Sequence, residues 1–201
     1  MACAYAGLVM PPRYIINGIW QHGVFGPWDL QIPKSTIYNS PASLDTLCLV
    51  ARDDLKTALV ELGYRNVQAI GMPINYLPDK NFDRIPGSLL VMPSHSLVGF
   101  QYRNHDQFLK YAEEIYQASK NFKTTLICLH PNCIKNKLWI REFEHFGFEI
   151  TFGADTGDLN ALERIRSLCA QFEVVTSNDW GSHIAYSLAL GCKVSISGTR
   201  I

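Results

Sequence analysis

The sequence predicts an α/β protein with Rossmann-like parallel sheets covered by helices on both faces. Short apolar runs alternate with amphipathic stretches of helical period along most of the chain. The apolar runs are continuous, which is typical of strands buried on both faces of a parallel sheet. With 201 residues, 47% of them hydrophobic, the chain can bury a sizeable core, and a disordered protein is excluded.

The first strand–helix–strand unit lies in the first 80 residues. Residues 46–51 form an apolar run and predict a buried strand. Residues 52–64 predict a helix, because Leu55, Leu59 and Leu62 recur at i, i+4 and i+7 and Gly63 follows. Residues 66–71 predict the next strand. The Pro-rich segment 72–87 is interpreted as a linker or crossover.

The same unit recurs through the rest of the chain. Strands are predicted at 88–95, 123–130, 149–152, 173–176 and 193–197. Helices are predicted at 104–120, 138–146, 158–172 and 181–190. The buried stripe of the first of these helices is predicted to contain Phe108, Tyr111, Ala112, Ile115 and Ala118.

Composition narrows the classes of function. Eighteen basic residues balance eighteen acidic ones, so the chain lacks the positive field of a nucleic-acid or anionic-membrane binder. No apolar run is long enough to span a bilayer, and the start has no basic signal-peptide region. The six cysteines show no zinc-ribbon spacing and are expected to be reduced structural residues. We expect a cytoplasmic protein, peripheral to the inner membrane at most.

Four histidines fall at predicted strand ends, where open α/β sheets bind ligands. They are His22, His95, His130 and His183. Each could simply cap the sheet by bonding a loop carbonyl. Together they could instead bind a metal, but no carboxylate recurs at ligand spacing and no H-x-H or H-E-x-x-H motif occurs. We therefore expect no metal site.

The segment from residue 174 to 196 carries the strongest functional signal. An apolar strand passes through Asn178-Asp-Trp-Gly181 into a helix that begins near Ser182. Glycine lets a ligand approach the backbone, and a helix start offers unpaired N–H groups and the positive end of its dipole. Ser182 and His183 could add donors. The pattern predicts a phosphate site, and an ordinary Asn- or Ser-capped helix start is the structural alternative.

The same segment resembles the distal nucleotide-sugar-binding segment of GT-B-type glycosyltransferases, in particular bacterial surface or capsular polysaccharide transferases. The resemblance rests on Thr176-Ser-Asn178, Gly181-Ser182, Leu190-Gly191 and Lys193-Val-Ser-Ile196. Residues 66–77 resemble the crossover between the two domains of such enzymes. The pair His22-Gly23 resembles a His-Gly at a strand end, where the histidine faces the cleft.

The resemblance implies two domains. Residues 1–77 would be the C-terminal remnant of an acceptor-side α/β domain, and residues 78–201 would be the Rossmann-like nucleotide-sugar-binding domain. A complete GT-B enzyme has two full domains, so the chain is expected to be a fragment, an interrupted reading frame or a reduced relative. Sheet edges left exposed by truncation predict self-association into a homo-oligomer.

The resemblance also implies a metal-independent transferase with no cofactor, using a nucleotide-sugar donor and a glycan or lipid-linked acceptor. Its donor-binding residues would be Asn178, Gly181, Ser182, His183, His95 and His130. His22 would be the catalytic base or a leaving-group contact. Glu142 or Asp155 could bind sugar or ribose hydroxyls, and the sequence does not choose between them.

Three alternatives remain open at the level of the sequence. The chain could be a non-catalytic or truncated module that binds a nucleotide or sugar phosphate. A nucleotide-sugar epimerase of the same fold would carry similar motifs. The histidines could also belong to a metallohydrolase, which bound zinc would reveal.

Overall fold

The computed structural model describes residues 18–21, 43–78, 80–94, 105–154 and 158–199. The chain divides into two compact units, Met1–Pro78 and Asp79–Ile201. Each unit contains its own parallel sheet. The α/β class with Rossmann-like parallel sheets and flanking helices is thus confirmed.

The first unit contains three strands, one α-helix and a 3-10 helix in its described part. These are β1 (Gly18–Trp20), β2 (Leu47–Val50), α1 (Asp53–Glu61), β3 (Val67–Ala69) and the 3-10 helix Pro73–Tyr76. The strands pair in the order β1-β2-β3. Leu55 and Leu59 of α1 pack against Cys48 and Val50 of β2. Leu62, predicted on the same stripe, lies beyond the last turn of α1 and is 40% exposed.

The second unit contains five strands and five helices in its described part. These are β4 (Ile85–Val91), α2 (His105–Ser119), β5 (Thr124–Leu129), α3 (Pro131–Lys135), α4 (Ile140–His145), β6 (Glu149–Phe152), α5 (Ala161–Ala170), β7 (Phe172–Ser177), α6 (Ser182–Ala189) and β8 (Lys193–Ile196). All pairs are parallel, in the order β6-β5-β4-β7-β8.

Helices cover both faces of this five-stranded sheet. Successive side chains of a strand point to opposite faces. In β4, Leu89 and Val91 pack in one core with residues of α2 and α4. Leu90, with Met92 just beyond the strand, packs in a second core with residues of α5. The strand is therefore buried on both sides, as its continuous apolar run predicts.

The segment predicted as a linker, residues 72–87, is partly regular. It contains the 3-10 helix, and β4 begins at Ile85 rather than at residue 88. Ile85 donates its N–H to the carbonyl of Gln171, and the register with β7 then shifts before Leu89. Pro86 cannot donate to the ladder and Gly87 has a φ of 69°, so both residues suit this irregularity.

The helix predicted at 138–146 is shorter, and α3 precedes it. Trp139 lies within the predicted helix, but in the structure it is the residue before α4, with a φ of 70°. It is 1% exposed and packs against Phe108 and Tyr111 of α2. On α2 itself, four of the five predicted stripe residues are buried, and Ala118 is exposed.

The cysteines in the described part of the chain are buried and unbridged. They are Cys48, Cys128, Cys133, Cys169 and Cys192. Cys3 lies outside the described residues. Among the helices that the structure describes, none combines the length and the apolar character needed to cross a membrane.

Candidate functional site

The strand order creates a switch point between β4 and β7. From β4 the chain proceeds to β5 and β6 on one side, and from β7 it proceeds to β8 on the other. The helices that follow β4 and β7, α2 and α6, lie on opposite faces of the sheet. In open α/β sheets such a switch point is where a ligand crevice forms outside the carboxyl ends of the strands. Ligands of open α/β sheets bind at such a position, so this edge is the candidate site.

The turn between β7 and α6 lies at this edge and contains the predicted phosphate-binding residues. The Asp179 carboxylate accepts a hydrogen bond from the N–H of Trp180 at 2.8 Å. Gly181 is the N-cap of α6, with extended backbone, and no side chain caps the helix. A helix start without a capping side chain can offer its first N–H groups and the positive end of its dipole to an anion. The Asn- or Ser-capped alternative is not what the structure shows, because the N-cap is Gly181.

The space above Gly181 is occupied by the side chain of His183. A Cβ at position 181 would lie 2.8 Å from both Cε1 and Nδ1 of that imidazole. The glycine is thus required for the imidazole to fold back over the helix start. The space that glycine was predicted to leave for a ligand is therefore occupied by this ring.

Asn178, predicted to bind substrate, is 1% exposed and holds two neighbouring loops together. Its Oδ1 accepts from the N–H of Ser94 at 2.9 Å. Its Nδ2 donates to the carbonyl of Thr199 at 3.2 Å. Both ends of the amide are therefore engaged by backbone groups on either side of β7.

His130, also predicted to bind substrate, is the N-cap of α3. Its Nδ1 accepts from the N–H of Asn132 at 3.1 Å, so this nitrogen carries no proton. The histidine follows β5, which is two strands away from β7, about 10 Å across the sheet. The structure therefore gives His130 a helix-capping role.

Glu142 lies on α4, which covers the opposite face of the sheet from α5. It is 8% exposed, and its Oε1 lies 3.2 Å from Nδ1 of His105. The pair borders a shallow cleft of about 330 Å³ lined by His105, Asp106, Leu109, Arg141, Glu142 and His145. The hydrogen bond described for Glu142 is thus to His105 at the start of α2.

The structure thus brings Asn178, Gly181, Ser182 and His183 together in one turn. His22, His95 and Asp155 lie outside the described residues. In the part of the chain that the structure describes, no three His, Cys, Asp or Glu side chains are grouped so that they could bind a metal ion.

Several residues that hold this edge together carry no functional signal in the sequence. Trp139 donates from Nε1 to the carbonyl of Ser94 at 2.9 Å. The carboxylate of Glu114 accepts two hydrogen bonds from Thr199. Glu114 and Thr199 are separated by 85 residues, and no local pattern signals their contact.

Comparison with known proteins identifies no family. No protein-family model matches this chain. No curated protein matches it with significant similarity.

Proposed function

We propose that residues 79–201 bind a nucleotide sugar and that the chain is a metal-independent GT-B-type glycosyltransferase. The acceptor would be a glycan or a lipid-linked sugar. One observation carries the proposal: a helix start with a glycine N-cap and no capping side chain lies at the switch point of a parallel sheet. Backbone donors and the helix dipole at such a point suit the diphosphate of a nucleotide.

Sugar transfer places negative charge on the diphosphate oxygen that leaves the anomeric carbon. The acceptor hydroxyl oxygen forms a bond to the anomeric carbon, while the bond from that carbon to the diphosphate oxygen breaks. The nucleoside diphosphate leaves with the electron pair. N–H groups at the start of α6, with the Ser182 hydroxyl and the His183 imidazole, would stabilise the departing charge.

His22 is the proposed acceptor of the proton from the attacking hydroxyl, because imidazole titrates near neutral pH. This role of His22 is inferred from the sequence alone, because His22 lies outside the described residues. Substitution His22→Ala should reduce turnover more than donor affinity. A loss of affinity with unchanged turnover would assign His22 to binding instead.

Donor binding is tested first by thermal unfolding in the presence of UDP-, GDP-, CMP- and dTDP-sugars. A ligand that binds only the folded state at 100 times its Kd stabilises that state by about 2.7 kcal/mol. We expect one nucleotide class to raise the Tm selectively. No shift with any of the four classes would contradict the proposal.

Substitutions at Ser182 test whether its backbone N–H group binds the phosphates of the nucleotide sugar. Ser182 is the first residue of α6, a position at which proline fits a helix, and the extended backbone of Gly181 suits a residue before proline. Substitution Ser182→Pro therefore removes one N–H while preserving the helix. We expect donor affinity to fall at least about tenfold. Ser182→Ala, which removes only the hydroxyl, is the matched control and should lose less.

Assays of the reaction separate the enzyme from its alternatives. Release of the free nucleotide in the presence of acceptor, a nucleoside diphosphate or, from a CMP-sugar, CMP, supports sugar transfer. Conversion of the donor into its epimer would identify an epimerase. Tight binding without either reaction would identify a binding module.

A further inference from the structure

A chain of hydrogen bonds crosses the carboxyl edge of the five-stranded sheet. It begins at Trp139, whose Nε1 donates to the carbonyl of Ser94 at 2.9 Å. The N–H of Ser94 donates to Oδ1 of Asn178 at 2.9 Å. Nδ2 of Asn178 donates to the carbonyl of Thr199 at 3.2 Å. The loops that follow β4, β7 and β8 are thereby joined through a single amide.

This series of hydrogen bonds ends at Glu114 on α2. Its Oε2 accepts from the N–H of Thr199 at 2.7 Å, and its Oε1 accepts from the Thr199 hydroxyl at 2.9 Å. Hydrogen bonds to a carboxylate are stronger than those between neutral groups. The N–H, hydroxyl and carbonyl of Thr199 are therefore all held, two by Glu114 and one by Asn178.

Gly198 allows the loop after β8 to lie against α2. Its φ is 92°, in the left-handed region that favours glycine. A Cβ there would lie 2.7 Å from the ring of Tyr111 and 2.8 Å from Oε2 of Glu114. Tyr111 is fully buried, so the ring cannot easily move aside. Glycine at position 198 therefore allows the loop to lie this close to α2.

We propose that Glu114 is a positioning residue for the ligand site at the start of α6, acting through Thr199 and Asn178. This inference rests on the proposed function of that site. Asn178 is 1% exposed, so water cannot readily replace a lost partner of its amide. Loss of Glu114 frees Thr199, deprives Asn178 of a fixed acceptor and loosens the turn that begins three residues before Gly181. Glu114 itself does not contact the nucleotide.

The test compares Glu114→Ala with two matched variants. Glu113→Ala removes an exposed carboxylate at the neighbouring position of α2 and should change nothing. Glu114→Gln can still accept from the Thr199 N–H and donate to its hydroxyl, so it should bind within about threefold of wild type. For the nucleotide among UDP, GDP, CMP and dTDP that binds wild type, we expect Glu114→Ala to raise the Kd about tenfold by calorimetry.

A second readout does not need a ligand. In ¹H–¹⁵N spectra of the free protein, Glu114→Ala should shift the amide resonances of Gly181 and Ser182, and Glu113→Ala should not. Gly198→Ala should produce similar shifts, because its Cβ separates the loop from α2 without altering Glu114. If Glu114→Ala does not fold, Thr199→Val, which removes only the hydroxyl bond, should give the same shifts at smaller amplitude.

The outcomes separate this inference from the proposed function. A wild-type protein that binds none of the nucleotides overturns the proposed function and, with it, the role of Glu114 in binding. A wild-type protein that binds, with Glu114→Ala showing an unchanged Kd and unmoved Gly181 and Ser182 resonances, overturns only the inference. A lower Tm for Glu114→Ala with an unchanged Kd would make Glu114 a purely structural residue.

Discussion

At the scale of single residues, the imidazole of His183 lies against the α-carbon of Gly181. A Cβ at position 181 would approach that ring to 2.8 Å. The backbone of Gly181 is extended, a conformation open to any residue, so its φ does not require glycine. Glycine is required at position 181 only because the His183 side chain lies so close.

A double-mutant cycle tests this contact. Gly181→Ala should destabilise the protein by about 1 kcal/mol, because the imidazole must rotate away from the new methyl group. In a His183→Ala background the same substitution should be nearly neutral, since the ring is gone. Free energies of unfolding in urea for the four proteins give the coupling. Equal costs in both backgrounds would show that the ring does not fill this space.

Asp179 places a negative charge beside the proposed anion site. Its side chain is exposed, and Oδ1 accepts from the N–H of Trp180. Asp179→Asn keeps that acceptor and removes the charge, so the affinity for a nucleoside diphosphate should rise about two- to fivefold at low salt. The gain should shrink as ionic strength increases.

The control for charge alone is Asp83→Asn. Asp83 is exposed and precedes β4, at the opposite edge of the sheet. We expect no change in affinity for this variant by calorimetry. A similar gain in both variants would indicate a general charge effect instead of a site at the start of α6.

At the scale of elements, the connection between α3 and α4 contains two residues in the left-handed region. Lys137 has a φ of 55° and Trp139 a φ of 70°. This conformation costs roughly 1–2 kcal/mol for a residue with a Cβ. Burial of the Trp139 ring among Phe108, Tyr111 and Phe143 offsets that cost. Lys137 is exposed and gains no comparable burial.

Lys137→Gly should therefore stabilise the protein by about 0.5–1 kcal/mol, because glycine adopts a positive φ without strain. Lys135→Gly, two residues earlier in α3, is the matched control and should destabilise by up to about 1 kcal/mol. Urea unfolding measures both. A loss of stability in both variants would contradict the backbone conformation described for Lys137.

At the scale of the whole molecule, each unit buries cysteine thiols in its own core. Cys48 lies in the core of the first unit, and Cys128 and Cys169 lie in that of the second. Burial raises the pKa of Cys48 above its ordinary value. Burial, with the neighbouring Cys169, raises the pKa of Cys128 to about 12. Burial is also the main cause that raises the pKa of Cys169 to about 11.

Because the thiolate is the reactive form, these three cysteines should resist iodoacetamide in the native protein at pH 8. Pulsed alkylation followed by mass spectrometry should show labelling that rises only with unfolding in urea. Cys48 then reports on the first unit and Cys128 on the second. Labelling of native Cys128 at the rate of a free thiol would contradict its burial.

Much of the fold could be predicted from the sequence because its signals are local. The stripe from Phe108 to Ile115 and the apolar runs of β4, β5 and β7 predict helix and strands at the correct places. The predicted start of β4 was three residues too late. Pro86 and Gly87 are typical of loops, and the strand is irregular there. The helix α3 was not predicted, since its five residues are too short to show a period.

The candidate site was predictable only in outline. The turn from Asn178 to His183 was expected at a strand end, and it lies at the switch point. The roles within it were not predictable, since Asn178 bridges Ser94 and Thr199, which lie 84 and 21 residues away. His130 caps α3, a contact that its position at a strand end did not predict.

The sequence by itself determined the order of strands and helices and the α/β class, because the spacing of apolar residues reflects the local geometry of each element. Only the tertiary structure decided which side chains meet at the carboxyl edge. Glu114 and Thr199 are hydrogen-bonded although 85 residues separate them, and the His183 ring lies over Gly181. Such contacts depend on how loops leave the assembled sheet, and residue spacing does not encode that.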